Sequence, residues 1–280
     1  MEKRMITNTL LNAFEESLYN DEKSKATIEK YKRDIQKFVI YSGKKEIDKQ
    51  LVLAYKTKLE KTYAITSANS MLAAINALFR FAGWFELCVK QFKVQKAVYC
   101  PEEKELTKRE YEALIHVAKK NQNEKLSLII QTICGTGIRV SELAYITVDA
   151  VRKGEAIVSC KGKTRKVFIV SALRKKLHRY VNEQGITTGM IFVTKTGKAI
   201  NRSNIWRGMK NLCEQAGVSH QKVFPHNLRH LFARTFYGLE KDIAKLADIL
   251  GHSNINTTRI YIMTTCSEHQ KRMERMRLVI

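Results

Sequence analysis

The sequence predicts a mainly helical protein of two domains: an all-helical first domain, and an α+β second domain with a small antiparallel sheet. Three observations carry this. At roughly 150 residues per domain, 280 residues supply two hydrophobic cores. Apolar residues recur at helical spacing in both halves of the chain. One stretch, Ala156–Val170, reads instead as two short strands around a basic turn. The composition, 44% hydrophobic and 28% charged with 2 Pro and 13 Gly, excludes a disordered or fibrous chain.

In the first half, Ile28, Tyr31, Ile35, Phe38 and Val39 fall at i, i+3, i+7, i+10 and i+11, behind Ser24 as N-cap. Met71, Leu72, Ile75, Leu78 and Phe79 make a second stripe, and both stripes read as core. Periodicity fails between Lys93 and Glu105, where Pro101 sits among charges, so residues 1–95 form one domain, 96–105 a linker and 106–280 the second domain. That domain opens on a capping signal, Thr107-Lys-Arg-Glu110. An apolar run from Leu126 to Ile133 follows, ending in Gly135-Thr-Gly137. The strands Ala156–Cys160 and Lys166–Val170 then flank the turn Lys161-Gly-Lys-Thr-Arg165. Helices dominate from Ser171, with one more short strand at Met190–Val193. Pro225 suits a first helical turn. Gly251 reads as the residue closing the helix Asp242–Leu250, and Ser253 or Asn254 as the cap of a short helix after it. In the tail 262–280, Met273, Met276 and Ile280 recur at i, i+3 and i+7, the stripe of a short helix that needs a docking surface.

The charge narrows the partner. Fifty Lys and Arg against 27 Asp and Glu leave a net +23, which points to a polyanion. Residues 1–100 carry +7 and residues 101–280 carry +16, so both halves are expected to grip it, as a clamp does. A membrane is set aside: the longest uncharged stretch, Thr62–Phe79, contains Thr, Ser and Asn and shows a helical stripe. The N-terminus has no apolar signal segment, and Cys88, Cys100, Cys134, Cys160, Cys213 and Cys266 show no metal-like spacing. The expected setting is the cytoplasm, with free thiols and no structural zinc.

Four clusters in the second half could carry chemistry. Arg139 precedes Glu142 by three residues, either a surface ion pair or an arginine held by a carboxylate to grip a phosphate. His226, Arg229 and His230 share one helical face, as ordinary surface or core residues or as an anion pocket. The intervening arginine and the lack of a nearby carboxylate argue against a metal there. His252 follows Gly251, and Tyr261 stands nine residues later, either as core or as part of a site. Together these residues and a hairpin lysine describe a phosphodiester site with no metal. A tyrosine nucleophile needs neighbouring cations, because ionising a free tyrosine of pKa about 10 at pH 7 costs roughly 4 kcal/mol.

These residues, in this order, resemble the tyrosine recombinases, or phage-integrase family, and among them the Xer-like members. Thr136-Gly-Ile-Arg-Val-Ser-Glu-Leu143 resembles the first-arginine box, Pro225-His-Asn-Leu-Arg-His230 the HxLRH box, and Leu250-Gly-His-Ser-Asn-Ile-Asn-Thr-Thr-Arg-Ile-Tyr261 the LGH box with its tyrosine. Thr27, Tyr31, Asp34 and Phe38 are similar to the family's N-terminal core-binding domain.

The resemblance implies a C-shaped two-domain clamp on a double-stranded DNA core site. It makes Tyr261 the nucleophile, forming a 3′-phosphotyrosyl bond. Arg139 and Arg229 would hold the non-bridging oxygens, with His226 and His252 completing the pocket. Lys161 would be the general acid, with Lys163 a rival; His230 and Glu142 would be supporting residues. No cofactor or metal is implied, and four protomers would act through a Holliday junction. The tail would dock on a neighbouring protomer, packing on its own domain being the alternative. Two rival functions stand beside this one: type IB topoisomerase-like relaxation, and DNA binding without catalysis on the same fold.

Overall fold

The structure is a computed structural model that describes residues 4–43, 45–94, 102–160, 163–194, 196–262, 270 and 273–276. The chain divides into two compact units, Met1–Lys96 and Ala97–Ile280.

The first unit is built from α1 (Asn8–Asn20), α2 (Lys25–Ser42), α3 (Lys49–Thr62) and α4 (Ile65–Phe81). Side chains of Thr7, Ser24 and Asp48 cap the first three by accepting from backbone N–H groups in the first turn. The α2 stripe turns inward as expected: Ile28, Ile35 and Phe38 are buried, and Tyr31 and Val39 pack beside them. The α4 stripe is buried throughout, and Phe38 meets Tyr55 and Phe79 edge-on with centroids 5.0 and 5.9 Å apart.

Asn76 and Asn69 give α4 a polar seam. The Asn76 amide donates to the Val89 carbonyl (2.8 Å) and accepts from the Val89 N–H (3.0 Å). Asn69 does the same for Phe92 at 2.9 and 2.7 Å. An amide presents a donor and an acceptor side by side, as a strand residue does, so the segment after α4 is held without a sheet.

The second unit contains α5 (Lys108–Lys120), α6 (Glu124–Thr136), α7 (Val148–Lys153), β1 (Glu155–Cys160), β2 (Lys163–Phe168), α8 (Ser171–Glu183), α9 (Arg202–Lys210), α10 (Cys213–Ala216), α11 (Pro225–Glu240), α12 (Ile243–Leu250) and α13 (Ile255–Arg259). The Thr107–Glu110 capping box forms in both directions. The apolar run Leu126–Ile133 belongs to α6, which packs against α5, α8, α9 and α11. Surrounded in this way, it buries nearly every side chain rather than one face.

The hairpin departs from the expected boundaries. β2 begins at Lys163, three residues early, because Cys160 pairs with Lys163 and leaves only residues 161–162 as the connection. The alternation explains it: Thr164, Lys166 and Phe168 face out while Val167 and Ile169 are buried, which places Arg165 on the inner side. The expected strand Met190–Val193 reduces to single bridges, Thr147 with Met190 and Val193 with Ala199. Asp242 caps α12 rather than starting it, and Asn254, not Ser253, caps α13. Residues 96–101 of the linker, Lys161 and most of the tail lie outside the described residues.

Candidate active site

The site is built on the first turns of α11. Pro225 starts the helix, and on the buried side Asn227 donates to the carbonyls of Lys104 (2.8 Å) and Lys222 (2.7 Å), fixing the turn in place. His226, Arg229 and His230 then point together toward Tyr261.

Arg229 is only 1% exposed. Its guanidinium donates to the Gly137 carbonyl (2.6 Å), to the Leu250 carbonyl (2.7 Å) and to His252 Nε2 (2.9 Å). Burial first, and then the Arg139 charge, lower its pKa to about 10, so it remains a cation at neutral pH. Its Nε is the single buried side-chain nitrogen or oxygen without a partner among the described residues. Both carbonyls come from helix ends. Gly137 closes α6 at φ +67°, and a Cβ there would lie 2.5 Å from the Phe232 ring, so the position admits only glycine.

His252 follows the Gly251 cap of α12. Arginine only donates, so Nε2 accepts from Arg229 and Nδ1 carries the proton, donated to the Thr258 hydroxyl at 2.9 Å. Burial, then the Arg229 and Arg139 charges, lower the His252 pKa to about 4, which agrees with a neutral ring. Thr258 is fully buried, and its carbonyl accepts from the Tyr261 N–H (2.9 Å), so one residue sets both histidine and tyrosine.

Tyr261 is 6% exposed. Its ring stacks on His230 (4.2 Å between centroids, 19° between planes), with His226 and His252 each 5.2 Å away and the Arg229 guanidinium 5.8 Å from its centre. Burial, then His226, lower the His230 pKa to about 3. His226 stands at the exposed rim, and the surrounding protein, then Arg229, also lower its pKa.

Arg139 enters from the turn after α6. Its backbone N–H donates to Glu142 Oε2 (2.7 Å) and its Nη1 to Oε1 (2.9 Å). Glu142 is buried, which by itself would raise its pKa; hydrogen bonds from Arg165 and Arg139 outweigh this and hold it at about 2. Arg165 grips the same carboxylate with both terminal nitrogens, at 3.0 and 2.7 Å. In the sequence Arg165 falls in the basic turn, and Thr258 lies within the Leu250–Tyr261 box without a role of its own; inward register in β2 is the only local signal for the first, and the second has none.

The structure therefore gathers Arg139, Glu142, His226, Arg229, His230, His252 and Tyr261, while Lys161 lies outside the described residues and Lys163 is placed only by its backbone. Among the described residues no group of three or more His, Cys, Asp or Glu could hold a metal ion.

The family and the relatives that this chain matches are tyrosine-type enzymes of DNA strand breaking and rejoining. Residues 104–268 match the phage integrase family and residues 11–85 the N-terminal SAM-like domain of phage integrases; the chain belongs to the phage integrase family. Tyrosine recombinase XerA of Pyrococcus furiosus is 29% identical over 289 residues, covering 100% of this chain and 98% of that protein. XerH site-specific recombinase, solved in a pre-cleavage complex with its difH substrate, matches with a TM-score of 0.71 at 20% identity, over 96% of this chain and 84% of the other. A lambda integrase tetramer bound to a Holliday junction matches with a TM-score of 0.73 at 17% identity, over 90% of this chain and 76% of the other. At these identities the two structures establish the shared fold.

Proposed function

We propose that Tyr261 is the nucleophile of a site-specific DNA recombinase, and that the residues around it form the pocket for the scissile phosphate. Its phenolate attacks phosphorus, a 3′-phosphotyrosyl bond forms, and a 5′-hydroxyl leaves. Attack by a 5′-hydroxyl from another duplex reverses the step and seals the exchanged strand. The phosphotyrosine keeps the energy of the broken bond, so the cycle needs no ATP.

The observation that carries this is the enclosure of Tyr261 by three histidines and Arg229, between 4.2 and 5.8 Å from its ring centre. Ionising a tyrosine at pH 7 costs roughly 4 kcal/mol, and the phosphorane formed carries added negative charge, so the site must supply cations. Arg229 and Arg139 are those cations and hold the non-bridging oxygens. His226 is kept neutral by its surroundings, as an acceptor of the phenol proton must be. His252 completes the pocket by fixing Arg229, His230 supports the tyrosine ring, and Glu142 orients Arg139. Lys161, or Lys163, protonates the leaving 5′ oxygen.

The substrate is a double-stranded DNA core site, gripped by both basic halves, and a homotetramer on two such sites passes through a Holliday junction. Residues 1–95 form the core-binding domain and 106–280 the catalytic domain. The tail docks on a neighbouring protomer: Met273 and Met276 of its apolar stripe are 57% and 59% exposed on the isolated chain. No described helix is long and apolar enough to cross a membrane, and the cytoplasm is the proposed location. Topoisomerase-like relaxation and silent DNA binding are not favoured, since relatives that align with nearly the whole chain are tyrosine recombinases.

The test is covalent capture. The protein is incubated with a duplex library, denatured in SDS, and the attached DNA ends are sequenced. The expected result is a protein–DNA adduct at one defined sequence, absent in Tyr261→Phe. An adduct persisting in that variant would assign the nucleophile elsewhere.

A further inference from the structure

Arg165 belongs to the hairpin, yet its side chain is spent on two other elements. Its terminal nitrogens take both oxygens of Glu142, at 3.0 and 2.7 Å, and its Nε donates to the Ile249 carbonyl at 3.1 Å in the last turn of α12. The side chain is only 12% exposed, and Glu142 is 2% exposed, so the pair is sheltered from solvent. A Cβ on Gly251 would lie 2.8 Å from Arg165 Cδ, so the helix end is shaped around this arginine.

The consequence falls on Arg139. A carboxylate offers one planar edge to a guanidinium fork, and Arg165 occupies it. Arg139 is left with an end-on contact through Nη1 alone, and its other guanidinium N–H groups make no hydrogen bond among the described residues. The Ile249 contact acts on the second arginine, because the next carbonyl, that of Leu250, is the one that holds Arg229.

We infer that Arg165 is a positioning residue: by occupying the Glu142 fork and pinning the end of α12, it leaves Arg139 free for the scissile phosphate and sets the carbonyl that aims Arg229. This rests on the reading of Arg139 and Arg229 as phosphate ligands. Lysine cannot replace Arg165, since a single ammonium cannot span both carboxylate oxygens and the Ile249 carbonyl in the same geometry.

The experiment compares two substrates in single-turnover cleavage. One is the captured duplex with its natural phosphate. The other carries a methylphosphonate at the scissile position, which has lost one anionic oxygen and needs less cationic hold. Arg165→Lys should slow cleavage of the natural phosphate by about 10²-fold, the scale of a small misplacement of a catalytic group. DNA affinity should not change, and the rate ratio to wild type should approach one on the methylphosphonate. Arg165→Gln combined with Glu142→Gln removes both charges while keeping similar shapes, and should show the same selectivity if Arg165→Lys does not fold. Equal defects on both substrates, or wild-type cleavage of the natural phosphate by either variant, would overturn the inference. Arg139→Ala separates the two readings: if it cleaves the natural phosphate as wild type does, the phosphate-ligand assignment fails; if it is inactive while Arg165→Lys is normal, only the role of Arg165 fails.

Discussion

The rings of Tyr261 and His230 lie nearly parallel, 4.2 Å between centroids and 19° between planes. His230 is neutral in this stack, because burial and then His226 bring its pKa to about 3. His252, at about 4, is neutral for similar reasons.

The unfolded chain binds these protons near pH 6.5. Below that value the unfolded state holds more protons than the folded one, so the histidines' contribution to stability is whole above pH 6.5 and is lost as pH falls toward their folded values. The melting temperature should therefore drop between about pH 7 and about pH 5, and His230→Phe, which keeps a ring on Tyr261, should flatten that slope. A melting temperature that rises on acidification would contradict the buried neutral histidines.

The general acid can be assigned by chemistry that bypasses it. Lys161→Ala should abolish cleavage of an ordinary strand and spare one whose bridging 5′ oxygen is sulfur, a leaving group that needs no proton. If rescue belongs to Lys163→Ala instead, the acid is Lys163, the residue that opens β2.

Gly137→Ala tests the helix end that feeds Arg229. The position has φ +67°, and the new methyl would press on Phe232 at 2.5 Å, so the expected cost is about 2 kcal/mol. In a unit of this size that is a fall in melting temperature of roughly 4–8 °C, accompanied by slower cleavage as the Gly137 carbonyl shifts from Arg229. Unchanged melting and cleavage would show that the turn yields without strain.

The tail is tested by truncation after Ser267. Binding to a single DNA site should persist, while tetramer formation on paired sites weakens and cleavage activity changes. A truncated chain that assembles and recombines as the full chain does would rule out a tail that couples protomers.

The helical segments were legible because their signals are local. Ser24 and Thr107 cap the helices that follow them, the stripe on α2 turns inward, and Gly251 closes its helix in the left-handed conformation. Arg139, His226, Arg229, His252 and Tyr261 could be picked out as candidates, since helical spacing and motif order lie within short windows of sequence.

Which atoms meet was decided by tertiary structure. The hydrogen bond from Arg229 to Gly137 spans 92 positions, and the one from Arg165 to Ile249 spans 84. Asn69 and Asn76, read only as polar residues in an uncharged helix, pair with backbone 23 and 13 positions on. Arg165 looked like one more cation in a basic turn, and only the early start of β2 turned it inward onto Glu142. A helix cap is satisfied three residues away and leaves its pattern in the sequence. A buried guanidinium takes whichever carbonyls packing brings to it, and every residue has a carbonyl, so the sequence alone determined where the arginines stand and the packing of α11 against α6 and α12 decided what they hold.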